Sequence, residues 1–220
     1  APMASGIDDV LFPFLQNLSQ TSLYVIHGAK DQVMPVRLSR NITKRLKALG
    51  IAYIYREHER VHPHAGGHYF PKEELPTLIA WLGQQKRNRY PRMLTVVRDA
   101  SHLTDFGWIR VDSTDHIAMF SEELVDMHDD LMQHQIYAKL EVQIRGESRI
   151  EVTTERIRRY TLFLNSQLVD LSKPITVVTN GQVSYEGHIT LNLETLLREA
   201  RRRGDFERLF PIQLSIDVKS

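Results

Sequence analysis

The chain has 220 residues, of which 42% are hydrophobic and 25% charged, the balance of an ordinary globular protein. Its formal net charge of +1 gives no electrostatic reason to bind nucleic acid or an anionic membrane surface. It has no cysteine, which excludes disulfides, thiolate catalysis and Cys-ligated zinc, and no apolar run approaches the ~18 residues of a membrane span.

In chain order, the first clear element is the apolar run Ser22–His27, closed by Gly28. Such a run suits a strand buried on both faces of a parallel sheet. From Pro35 to Leu49 the apolar residues Val36, Leu38, Ile42, Leu46 and Leu49 recur at helical spacing, and Gly50 supplies a stop signal. Ile51–Arg56 reads as a second strand. A polar loop with Gly66 and Gly67 follows, then a helix over Lys72–Lys86 with Leu75, Leu78, Ile79 and Leu82 on one face. This β-α-β-α order predicts a parallel sheet with crossover helices.

The pattern changes near Asn88–Pro91, so the chain divides into a region 1–90 and a β-rich region 91–220. Strands are expected at Arg92–Arg98, Gly107–Asp112, Tyr137–Ile144, Arg149–Thr153, Arg158–Leu164, Pro174–Thr179, Gln182–Leu191 and Pro211–Val218. Asn180-Gly181 between two β-prone runs is a hairpin signal. Short strands with regular turns predict a small antiparallel sandwich, interrupted by one helix from Asn192 to Arg203. The fold class is therefore α/β followed by mainly β.

The chemistry sits after the first two strands. Asp31 follows the end of the first strand, where ligand sites of open α/β sheets collect. His68 lies in the loop after the second strand, beside two glycines that permit a tight backbone excursion. Adjacent parallel strands end roughly 5 Å apart, so the two side chains are within reach of a hydrogen bond. A carboxylate there would fix the imidazole tautomer and stabilise the imidazolium, the arrangement of a Ser-His-Asp triad. The order Asp then His matches the α/β-hydrolases, whose nucleophile comes earlier on a Gly-x-Ser-x-Gly elbow. No such elbow precedes Asp31; Ser5, Ser19 and Ser22 lack its context, as does Ser39 beyond it.

On these residues the region 1–87 resembles the last third of an α/β-hydrolase domain of the dienelactone-hydrolase, carboxylesterase and prolyl-oligopeptidase-like kind. Tyr24–Asp31 (Tyr-Val-Ile-His-Gly-Ala-Lys-Asp) resembles the family's acid motif, and Gly66–Phe70 (Gly-Gly-His-Tyr-Phe) its histidine motif. Ala1–Gly6 resembles the segment just downstream of the nucleophile elbow, and Asp170–Gly181 a β-rich extension of some secreted bacterial members. The resemblance implies a serine hydrolase for esters or peptides, with no cofactor, secreted or periplasmic in its parent form. Its serine would lie upstream of Ala1, leaving this chain inactive alone. It also implies an open strand edge in the α/β part, and hence a homo-oligomer formed through that edge. The alternative is a non-catalytic binding or assembly module on a hydrolase-like scaffold.

Other features have plainer readings. His62, His64 and His68 form a His-x-His-x3-His cluster that could take a metal, a minor expectation beside the triad role. His27 reads as a packing residue at the strand end. Trp81 and Trp108 read as core or interface residues, and Asp126–Asp130 as solvated surface or loop. Arg201–Arg203 complements a helix dipole. The sequons at Asn17 and Asn41, and Arg203-Gly204-Asp205, read as chance matches.

Overall fold

The computed structural model describes residues 9–99, 105–119 and 125–219; the hydrolase-like segment Ala1–Gly6 and Ser5 lie outside them. The chain divides into two compact units, Ala1–Arg87 and Asn88–Ser220. Among the described residues no helix is long and apolar enough to cross a membrane.

The first unit opens with a 3₁₀ segment, Asp9–Leu18, that carries Pro13 inside it and that periodicity did not announce. Strand β1 (Leu23–Gly28) leads into helix α1 (Arg37–Ala48) and strand β2 (Tyr53–His58). A short 3₁₀ turn, Lys72–Glu74, precedes helix α2 (Leu75–Gln84), so the second predicted helix begins as 3₁₀ and only then becomes α. β1 and β2 pair in parallel, from Leu23 opposite Tyr53 to Gly28 opposite His58. The side chains of β1 alternate between two small cores. Leu23 and Tyr53 pack with Leu15, Ile42, Leu46 and Ile51 on the α1 side. Tyr24 and Ile26 pack with Leu78, Phe70 and Trp81 on the α2 side. Trp81 meets Tyr24 edge-on at 5.2 Å. With a layer on each face, β1 is buried almost throughout, which is why its sequence is a continuous apolar run rather than an alternating one.

The second unit holds two sheets. Its strands are β3 (Met93–Arg98), β4 (Asp105–Phe106), β5 (Ile109–Thr114), β6 (Ala138–Arg145), β7 (Arg149–Glu155), β8 (Ile157–Leu164), β9 (Ile175–Thr179), β10 (Gln182–Gly187) and β11 (Ile212–Asp217). One sheet runs β10-β9-β7-β6-β3 and the other β11-β8-β5-β4. Their inner faces share one core. Leu140, Val142, Ile150 and Val177 of the first sheet belong to the same buried cluster as Val111, Tyr160, Leu162 and Ile216 of the second. Trp108 is completely buried in that cluster, and its indole Nε1–H donates to the Pro91 carbonyl at 2.7 Å. The β9–β10 turn is Asn180-Gly181, both at positive φ, the geometry that matches hairpin twist.

Three features depart from the sequence reading. β7 and β9 pair in parallel, because the chain leaves for the other sheet as β8 before it returns. The strand expected to reach Leu191 ends at Gly187. A second helix, α3 (Val125–Gln133), occupies the stretch Asp126–Asp130 read as solvated surface or loop, with Asp126 and Asp130 exposed on it, and α4 (Leu193–Arg203) is the helix foreseen. α3 was hidden because its buried face carries His128, only 2% exposed, beside Met132. The His128 ring sits between carboxylates, Nε2 3.0 Å from Asp99 and Nδ1 3.1 Å from Asp129. A polar residue on the inner face breaks the apolar period that would reveal a short helix.

Candidate acid–base site

Asp31 begins one turn after β1. Its N–H donates to the Gly28 carbonyl at 3.1 Å, and its Oδ1 accepts from the backbone N–H of Val33 at 2.9 Å and of Met34 at 2.8 Å. The carboxylate is thus folded back onto its own turn, the habitual hydrogen-bonding of an Asp after a strand. The remaining oxygen, Oδ2, lies 2.9 Å from Nδ1 of His68. Burial pushes the Asp31 pKa up, but the N–H of Met34, the His68 ring and the N–H of Val33 together hold it below the usual carboxylate value. An ionised carboxylate only accepts, so Nδ1 of His68 carries the proton and Nε2 of the neutral ring is a base. The His68 side chain is 41% exposed, whereas that of Asp31 is fully buried.

The loop that carries His68 lies directly on the Asp31 turn. Gly67 N–H donates to the Lys30 carbonyl at 3.1 Å, and His68 N–H to the Ala65 carbonyl at 2.8 Å. A Cβ on Gly28 would fall 2.2 Å from the Gly67 carbonyl oxygen, and one on Gly67 would fall 2.4 Å from the Asp31 nitrogen. The sequence had suggested only a tight excursion at Gly66 and Gly67. Gly28, read there as a strand terminator, proves to be the floor on which the loop rests. A cleft of about 130 Å³ opens beside the ring, lined by Ile26, His27, Gly28, Gly67, His68, Tyr69 and Phe70.

His27 is fully buried at the end of β1, with Nδ1 2.5 Å from Ser39 Oγ and Nε2 2.8 Å from the Met34 carbonyl. His62 and His64 stand 5.8 Å apart ring to ring, and His62 packs on Tyr69, while His68 turns instead to Asp31. Among the described residues no three His, Asp or Glu side chains are grouped to hold a metal ion, so the three-histidine cluster is not assembled. Thr43 of the Asn41 sequon is buried in α1, with its hydroxyl donating to the Ser39 carbonyl at 2.9 Å. Arg203 of the Arg-Gly-Asp match is 7% exposed and paired with Glu199. Ser39 is the contributor that sequence reasoning missed. Its only signal is a small polar residue on the apolar side of α1, next to Ile42 and Leu46.

No protein-family model matches this chain, and neither a curated protein nor a solved structure is significantly similar to it.

Proposed function

We propose that Asp31 and His68 are the acid and the base of a serine hydrolase acting on esters or peptides, with a nucleophile supplied from outside these 220 residues. The observation that carries the reading is the 2.9 Å bond from His68 Nδ1 to a buried carboxylate, with the other edge of the ring beside an open cleft. In the proposed cycle, His68 Nε2 takes the serine proton as the hydroxyl attacks the carbonyl, and Asp31 stabilises the imidazolium. The same nitrogen then returns the proton to the leaving alcohol or amine, and repeats both transfers for the water that releases the acyl group from the serine. The β1–β2 pair flanked by α1 and α2 would be the last part of a longer parallel sheet.

The test is hydrolysis of p-nitrophenyl acetate by this chain and by a longer protein that includes the coding sequence upstream of Ala1. The short chain should be silent. The longer one should turn over and lose at least about 10³-fold in rate on His68→Ala. An undiminished His68→Ala protein would end the reading.

The α/β unit also supports a proposal about assembly. Among the described residues β1 has a strand partner on one side only, and an open edge of apolar composition invites pairing with a second copy. Light scattering at tens of micromolar should then report a dimer; a monomer would count against it. The rival functional reading, a binding or assembly module in residues 91–220, draws on exposed apolar side chains there. Leu193, Leu197 and Phe206 are each more than half exposed. A glycan and peptide array probed with the 220-residue protein separates the two readings.

A further inference from the structure

Beneath the Asp31–His68 pair runs a chain of hydrogen bonds whose direction follows from one group that can only accept. The Met34 carbonyl can only accept, so His27 Nε2, 2.8 Å away, carries a proton. In a neutral ring Nδ1 must then accept, and the group facing it at 2.5 Å is the hydroxyl of Ser39, which is fully buried in α1. Met34 in turn uses its N–H to hold Asp31 Oδ1 at 2.8 Å. One peptide segment is therefore gripped by His27 from one side and grips the carboxylate on the other. His27 Nε2 also lies 3.4 Å from Asp31 Oδ2, the oxygen that receives His68.

We infer that Ser39 and His27 are positioning residues for the acid–base pair. The Met34 carbonyl holds His27 as the Nε2–H tautomer, the Ser39 hydroxyl donates to Nδ1 and seats the ring, and Met34, held in this way, aims the Asp31 carboxylate at His68 through its own N–H. The role rests on the proposed reading of Asp31 and His68, but the hydrogen-bond chain itself is a property of the folded unit. It explains why a histidine occupies a fully buried strand end where an apolar residue would pack more simply. It also gives Ser39 a purpose that a helix-surface serine does not have. Both side chains are fully buried, and both act through Asp31.

The experiment is long-range proton–nitrogen NMR on the 220-residue protein labelled with 15N-histidine, which reads each ring's tautomer with no substrate present. In the unsubstituted protein, His27 should be the Nε2–H form and His68 the Nδ1–H form. In Ser39→Ala the Met34 carbonyl keeps His27 in the Nε2–H form, and the Nδ1–H to Nε2–H ratio of His68 falls about fivefold, the loss of roughly one hydrogen bond's worth of ordering. Ser39→Thr, which keeps the hydroxyl, restores the ratio. A His27 ring found as the Nδ1–H form in the unsubstituted protein overturns the inference whether or not the variants fold. So does a folded Ser39→Ala protein with His68 unchanged. Neither result touches the hydrolase reading, which stands or falls on turnover by the longer protein.

Discussion

Gly28 and Gly67 meet backbone to backbone. A methyl group on Gly28 would lie 2.2 Å from the Gly67 carbonyl oxygen, inside any tolerable contact. The contact joins the end of β1 to the histidine loop, and with it Asp31 to His68. Gly67→Ala should lift the loop and break the 2.9 Å bond between the two side chains. We expect a loss of about 1–3 kcal/mol in the α/β unit, as for other substitutions that force backbone apart. Hydrogen exchange of β1 and α1 amides measures it. Gly83→Ala is the control: it lies in α2 with nothing within 4 Å of its Cβ, and should stabilise by about 0.5–1 kcal/mol.

The held-down pKa of Asp31 makes a signed prediction about acid. A carboxyl whose folded pKa is depressed contributes stability above its unfolded pKa, about 3.9. That contribution disappears as pH falls through the lower folded value. Unfolding monitored at pH 7 and at pH ~2.5 should therefore show a larger acid-induced loss for the native protein than for Asp31→Asn. Equal losses would mean that the carboxylate is not specifically held.

His128→Ala should destabilise the unit Asn88–Ser220 by about 2–4 kcal/mol. It empties a buried site on α3 and withdraws the ring placed between Asp99 and Asp129. Denaturant unfolding of the variant gives the value, and a change below about 0.5 kcal/mol would contradict the placement of this helix.

Glu199 is the buried anion of an ionic cluster on α4 to which Asp105 also contributes a carboxylate. The Glu199 carboxylate, 3% exposed, accepts from Arg202 at 2.5 Å and from Arg203 at 3.3 Å. Arg203 is stacked 4.5 Å over the Phe163 ring. Glu199→Ala leaves these guanidiniums only the Asp105 carboxylate, which pairs with Arg202 and lies 3.9 Å from Arg203, and should cost about 3 kcal/mol, whereas Glu199→Gln, which keeps the shape and one acceptor, should cost less. Thermal unfolding of the two variants side by side checks the order.

How much of this was legible depended on whether the deciding feature was local. The run Leu23–Ile26 and the spacing of Ile42 and Leu46 declare β1 and α1, since each residue's burial follows from its own element's period. Asn180-Gly181 declares its hairpin because the turn needs two residues at positive φ. Asp31 and His68 fall in the loops that follow two neighbouring strands, and the 2.9 Å contact joins those loops. Strand direction left no such mark: alternation is the same in parallel and antiparallel ladders, so the β7–β9 pairing was invisible. The roles of Ser39, His128 and Glu199 left almost no signal in the sequence for one shared reason. Each is a polar residue on a buried face, and its burial is tolerated only because a partner distant in sequence or one turn away satisfies it.

The clamp on Oδ1 of Asp31 has a consequence for sequence drift. Both of its donors are peptide N–H groups, of Val33 and Met34, and the Val33 side chain is 65% exposed. A library randomising position 33 should therefore tolerate nearly every residue type and reject proline, which has no N–H to give. What evolution must keep at that position is a hydrogen atom and a backbone path, so an alignment column there would look unconstrained beside an aspartate that depends on it.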